Sequence, residues 1–207
     1  MKLKRNPNEK GIVSVELPCY NVIRLRGSLM IWEGDKSMIE IPEAEVLAQQ
    51  IKRTLTGKHI QKATANQSPH KFAWYSGDPA EYNTHLADKT ITGARAFANF
   101  VQINADELRL VLSTSLRYLA AGEKPPAKHQ LLLDFNDGSA MSATVVMWGG
   151  LLCLKPGEEG GLADFYQFAL KRPSPLEEAF NRAYFDSLFN EQTPGLSAKA
   201  FLEPDND

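Results

Sequence analysis

Eight short apolar segments separated by turn signals lie between Lys58 and Lys155, and this spacing constrains the fold more than any other feature. They are His59–Ala65, Phe72–Tyr75, Lys89–Ala94, Phe97–Ile103, Leu108–Leu119, His129–Phe135, Ala140–Trp148 and Leu151–Leu154. Ser76-Gly77-Asp78-Pro79, Asn104–Glu107, Gly122–Pro126 and Asn136-Asp137-Gly138 punctuate them. The last joins two apolar runs, and its glycine supplies the positive φ of a tight hairpin. A short helix fits Pro79–Leu86. The pattern predicts an eight-stranded antiparallel sandwich or flattened barrel.

Helices flank this region. Ala44, Leu47, Ala48, Ile51 and Leu55 recur at spacings of three and four, which gives one apolar stripe. Pro42 suits the first turn, Glu43 and Glu45 complement its positive end, and Gly57 is a natural stop. A helix is therefore expected over residues 42–56. Ser174-Pro175-Leu176-Glu177 is a capping box, and Leu176, Phe180, Ala183, Tyr184 and Leu188 form the stripe of a second helix. Ser197–Leu202 begins a further helix, which Glu203-Pro204 stops after about one turn, too short to stand alone. The expected class is α+β, mainly β. A helix and sandwich occupy residues 38–156 and an incomplete helical region residues 157–207.

Residues 1–37 differ from the rest. Their seven basic residues (Lys2, Lys4, Arg5, Lys10, Arg24, Arg26, Lys36) outnumber four acidic ones, and no apolar period is sustained. They read as a poorly ordered arm, as a basic nucleic-acid-binding arm, or as a stretch upstream of a true start at Met38. The formal charge of -2 argues against a chain whose whole surface grips nucleic acid, yet permits a local basic groove. Cys19 and Cys153 are far apart and have no CxxC partner, so no cysteine zinc site or disulfide framework is expected. No apolar run approaches the roughly 20 residues of a membrane span. A cytoplasmic monomer is the default.

Met38-Ile39-Glu40-Ile41-Pro42-Glu43-Ala44-Glu45 resembles the opening signature of the formamidopyrimidine-DNA glycosylase and endonuclease VIII family, Met-Pro-Glu-Leu-Pro-Glu-Val-Glu. Thr90-Ile91-Thr92, Ser115-Leu116-Arg117, Pro125–His129, Pro173–Leu176 and Ser197–Leu202 resemble later landmarks in the same order, so the likeness covers roughly residues 38–202. It implies an amino-terminal helix, an eight-stranded β-sandwich and a helix–two-turn–helix DNA-binding region. It also implies base-excision repair, in which oxidised bases are removed and the abasic strand is cut. The family's nucleophile is the amine of an amino-terminal proline, which forms a Schiff base with the sugar. The adjacent glutamate moves protons.

On this resemblance Glu40 matches the catalytic acid and Glu43 the second helix-start glutamate, while Ile39 stands where the nucleophilic proline belongs. Glu40 and Glu43 read equally as residues that complement the helix dipole. The family's strand lysine falls near Asn99 and its wedge methionine near Leu112. Its arginine–phenylalanine wedge loop falls near Met147-Trp148-Gly149-Gly150. The candidate DNA contacts are Lys71, Lys128, His129, Trp148 and Lys199. Each has a plainer reading: Lys71 lies in a strand of alternating faces, Lys128-His129 at a solvated strand start, Trp148 in core or bulge, and Lys199 on a truncated helix. His70–Tyr75 mixes cations with aromatics, as a stacking surface for bases does. Cys153 in an apolar run reads as packing.

No cofactor is expected, since the family's zinc finger has no counterpart here. The expected partner is double-stranded DNA with oxidised or abasic sites, with no membrane association. The chain therefore reads as a base-excision repair protein resembling a glycosylase with abasic lyase activity, impaired at its nucleophile. The alternatives are a non-catalytic damaged-DNA-binding module and a gene fragment without function.

Overall fold

The computed structural model describes residues 39–158 and 163–189, without the side chains of residues 163–165. The chain divides between Asp164 and Phe165 into two units.

The first unit opens with α1 (Ile41–Leu55). Its predicted stripe is its buried face: Ala44, Leu47, Ala48, Ile51 and Leu55 are all in the core. Glu40 is the N-cap of a reciprocal capping box. Its carboxylate accepts the Glu43 amide hydrogen, and Glu43 Oε2 accepts that of Glu40 at 3.0 Å. Lys52 and Arg53 sit in the last turn, and Gly57 follows with φ +87°.

Nine strands follow among the described residues: β1 (Ile60–Ala65), β2 (Ala73–Tyr75), β3 (Ile91–Phe97), β4 (Phe100–Ala105), β5 (Leu108–Leu112), β6 (Ser115–Leu119), β7 (Leu131–Phe135), β8 (Ala140–Thr144) and β9 (Gly149–Leu154). α2 (Tyr82–Leu86) occupies the segment expected to hold a short helix, after a 3-10 turn over Pro79–Glu81. The strands form a four-stranded sheet in the order β1-β7-β8-β6 and a five-stranded sheet in the order β2-β9-β5-β4-β3. Val101, Ile103, Leu110, Leu112 and Leu151 of the larger sheet share one core with Leu116, Leu131, Leu133, Phe135 and Met141 of the smaller. α1 packs on β3 and β4.

The expected sandwich is present, with three differences in detail. The apolar run Leu108–Leu119 is two strands, because the chain passes from one sheet to the other at Ser113-Thr114. The run Ala140–Trp148 likewise stops at Thr144, and residues 145–148 cross back. In addition, β2 pairs in parallel with β9, whereas every other strand pair is antiparallel. Side chains from afar fix this pair. Tyr82 Oη donates to the Leu151 carbonyl (2.6 Å), and Ser76 Oγ accepts the Cys153 amide hydrogen (2.8 Å).

The two crossings interlock. Thr114 Oγ1 donates to the Thr144 carbonyl (2.6 Å) and Ser113 Oγ accepts from Gly150 N (2.9 Å). A Cβ on Gly149 would lie 2.8 Å from Thr114 Cβ and 3.2 Å from Val145 Cγ2. Only glycine fits between these branched side chains.

The β7–β8 hairpin turns at Gly138, φ +80°. Lys58, just beyond α1, reaches this turn. Its Nζ donates to Asp137 and to Ser139 Oγ (2.6 Å) and lies over the Tyr118 and Phe135 rings. The bond from Lys58, helped by Ser139, holds the Asp137 carboxyl at about 2.

In the region after the sandwich, α3 (Ala163–Leu170) and α4 (Arg182–Ser187) are the helices among the described residues. The helix expected directly after Ser174 does not form there. Glu177 Oε2 does accept from Ser174 N (3.2 Å), so the capping contact exists but closes a single turn. Asn181 then goes extended (φ −103°, ψ 179°), and its side chain accepts from Tyr184 N to cap α4 instead. The Ser197–Leu202 helix lies outside the described residues.

Two outcomes test this packing. Gly149→Ala lowers the unfolding free energy by about 1–3 kcal/mol through overpacking, read by urea denaturation. Asp137 has a folded pKa below its unfolded value, so its stabilisation is complete above about pH 4 and lost as the pH falls towards about 2. Thermal melting shows this decline, of no more than about 1 kcal/mol because the pair is partly solvated, and Asp137→Asn flattens it.

Candidate nucleic-acid interface

Three segments far apart in sequence meet at one end of the sandwich. The loop after β1 (residues 66–72) lies against the loop before β7: Ser68 N donates to the His129 carbonyl (3.1 Å) and Gln130 Nε2 to the Ser68 carbonyl (2.7 Å). Gln130 Oε1 accepts from Val145 N (2.6 Å), which ties both loops to the β8–β9 crossing. Gly149 N donates to the Phe72 carbonyl (3.0 Å) and starts the β2–β9 ladder. The fold thereby gathers Lys71, Lys128, His129 and Trp148 from separate stretches of chain.

Their surroundings differ. Lys71 is exposed, with Nζ 5.2 Å from the centre of the Phe72 ring. Lys128 is exposed, and its carbonyl accepts from Thr144 Oγ1 (3.4 Å). His129 is buried, and its Nδ1 donates to the Pro126 carbonyl (2.9 Å). The imidazole therefore packs inward and orders the Pro125-Pro126 turn. Trp148 stands on the crossing loop, partly exposed beside Met147. Lys199 lies outside the described residues.

The carboxylates sit elsewhere. Glu40 and Glu43 belong to the start of α1, which packs on β3 and β4, the opposite edge of the larger sheet from β2 and β9. Glu40 is exposed. Glu43 is half-buried; Oε2 is used in the capping box, while Oε1 is buried and has no hydrogen-bond partner. Ile39, which precedes Glu40 in the chain, is only 5% exposed and part of the main apolar cluster.

Other expected positions also change character in the fold. Leu112 is wholly buried between Val101 and Leu151 in the larger sheet, so it packs the core and has no free surface to wedge into a base stack. Asn99 sits at the β3–β4 hairpin beside Ala98, φ +45°. Cys153 is buried as expected, and burial pushes its thiol up to about 11. Trp74, within the His70–Tyr75 stretch read as a stacking surface, lies 6.3 Å from Trp148 between ring centres.

The formamidopyrimidine-DNA glycosylase N-terminal domain matches residues 38–145. The formamidopyrimidine-DNA glycosylase of Lactobacillus delbrueckii subsp. bulgaricus is 27% identical over 158 residues, which cover 72% of this chain and 54% of that protein. The chain thus spans about half the length of the curated relatives it matches. Among solved structures, wild-type Lactococcus lactis Fpg (MutM) in complex with DNA containing N7-benzyl-Fapy-dG is 23% identical. The match has a TM-score of 0.56 and covers 72% of this chain and 55% of that one. The same protein bound non-covalently to DNA containing an AP site is 22% identical with a TM-score of 0.55, covering 72% and 57%. These likenesses show a shared fold. Over more than half its length, residues 38–145, this chain belongs to the formamidopyrimidine-DNA glycosylase family by its N-terminal domain.

Proposed function

We propose that this chain serves base-excision repair by binding duplex DNA that carries oxidised or abasic sites, and that its Schiff-base chemistry is impaired. Family membership supports the first half, and Ile39 carries the second. Forming a Schiff base requires a free amine with an available lone pair to attack the sugar carbon and displace the base. The nitrogen of Ile39 follows Met38 in the chain and is an amide, its lone pair delocalised into the carbonyl. The Ile39 side chain is buried in the core. Pro42 cannot substitute, since its nitrogen is also an amide and lies within α1.

In this reading Glu40 and Glu43 keep the positions of the family's carboxylates but act first as caps for α1. Lys71 and Lys128 meet phosphates, the term that dominates affinity for DNA and makes it fall with salt. Trp148 fills the gap left by a displaced base. His129 acts indirectly, by ordering the turn that presents Lys128. Lys199 is carried over from the resemblance as a further phosphate contact. The protein works as a cytoplasmic monomer and takes no metal from its own residues. A second reading, a binding module with no chemistry at all, is favoured by the same burial of Ile39.

Incubation of the whole chain with abasic duplex and sodium borohydride gives no covalent adduct, while a labelled abasic duplex is bound with an affinity that falls steeply as salt rises. A borohydride-stable adduct contradicts the impairment and makes Lys71 and Lys128 the first amines to replace. Absence of any duplex binding contradicts the whole reading. Release of an oxidised base without strand cleavage excludes the pure binding module.

A further inference from the structure

The strand pair β2–β9 shows a feature that repair of duplex DNA does not require. Side chains alternate along a strand. Ala73 and Tyr75 face inward and pack against the core, so Phe72 and Trp74 face outward. Outward positions on an edge strand are usually polar or charged. Here Phe72 is 46% and Trp74 43% exposed, and Trp148 on the adjoining crossing is 36% exposed. The register pairs Trp74 with Gly150, which has no side chain to separate the two indoles. The Trp74 and Trp148 rings are 6.3 Å apart and inclined by 32°, forming one continuous ledge. Lys71 covers the next ring along, Phe72, and His70 meets the same ring edge-on.

We propose that Trp74, Trp148 and Phe72 form a stacking ledge for the unpaired bases of single-stranded DNA, with Lys71 beside it for the phosphates. The inference rests on the DNA-binding reading above and extends it to a strand that has lost its partner. Large exposed rings mark an interaction surface, and the lysine decides what kind. A purely apolar partner would leave the Lys71 charge without a counterpart. A single strand supplies flat π-faces and a phosphate charge at every step, so rings and lysine are satisfied together. The ledge is also rigid before anything binds. The Phe72 carbonyl is bonded to Gly149 N, Tyr75 Oη donates to the Gln130 carbonyl (3.0 Å), and Tyr82 and Ser76 fasten both strands. Little ordering is therefore lost when a strand lies on it. Stacking reads no base edge, so the preference should be for unpaired over paired DNA rather than for one sequence.

The test titrates the whole chain with a labelled oligothymidine and, in parallel, with abasic duplex, by fluorescence anisotropy at low and moderate salt. The expected result is salt-sensitive binding of the oligothymidine with quenching of tryptophan emission. Trp74→Ala weakens it roughly 5- to 150-fold and Trp74→Phe far less. Lys71→Ala lowers the salt slope by about 0.7. The variants melt like the wild type, because the replaced groups are outside the core, and a Trp74→Ala chain that melts early is replaced by Trp74→Ser before affinities are compared. A wild type that binds the abasic duplex but not oligothymidine overturns the ledge alone. Failure to bind either overturns both the ledge and the reading beneath it. Binding of oligothymidine that Trp74→Ala leaves unchanged also overturns the ledge.

Discussion

The docking of α1 onto β3 and β4 is the interaction on which the rest of the structure depends. Its apolar stripe closes a core that the two sheets alone would leave open at one side. The capping box fixes where that helix begins, so residue 39 is placed by the same bonds that start the helix. An isoleucine there joins the apolar cluster directly. On the resemblance the reaction needs an amine at this position, and here the side chain is part of the packing. Fold and chemistry are thus coupled at a single residue, and the coupling favours the fold.

A second constraint organises the opposite edge of the larger sheet. The sheets exchange strands at Ser113-Thr114 and at residues 145–148, and the two crossings lock through Gly149 and Gly150. Because Gly149 sits flush against Thr114, the loop ahead of it is held at its base and its bulky residues, Met147 and Trp148, are pushed outward. The parallel β2–β9 pair then extends the same edge and sets Trp74 beside Trp148. The aromatic surface follows from how the sandwich is stitched together.

Much of this was legible in the sequence, for physical reasons. The helical period from Ala44 to Leu55 and the Asn136-Asp137-Gly138 turn each carry their structure locally, so α1 and the β7–β8 hairpin fall where the pattern puts them. The break inside Leu108–Leu119 was not legible, because Ser113 and Thr114 are polar residues that are buried and bonded to residues some thirty or more positions away. The parallel pairing of β2 depends on Tyr82 and Ser76 reaching β9, contacts that no local window contains. A capping box at Ser174 predicts a helix, but Asn181 offers a competing cap eight residues into the segment, and the helix starts there. At the site, residue types were readable and orientations were not. His129 turned inward to Pro126, Leu112 joined the core, and Trp74 turned outward.

The central claim is that residue 39 is a core side chain where the family keeps a reacting group. Chemical denaturation of Ile39→Ala against the wild type tests it most directly. A buried isoleucine truncated to alanine costs about 2–5 kcal/mol of unfolding free energy, and that loss is the result the structure predicts. A change within about 0.5 kcal/mol, as at an exposed surface position, would contradict it and return residue 39 to the solvent-facing side of the site.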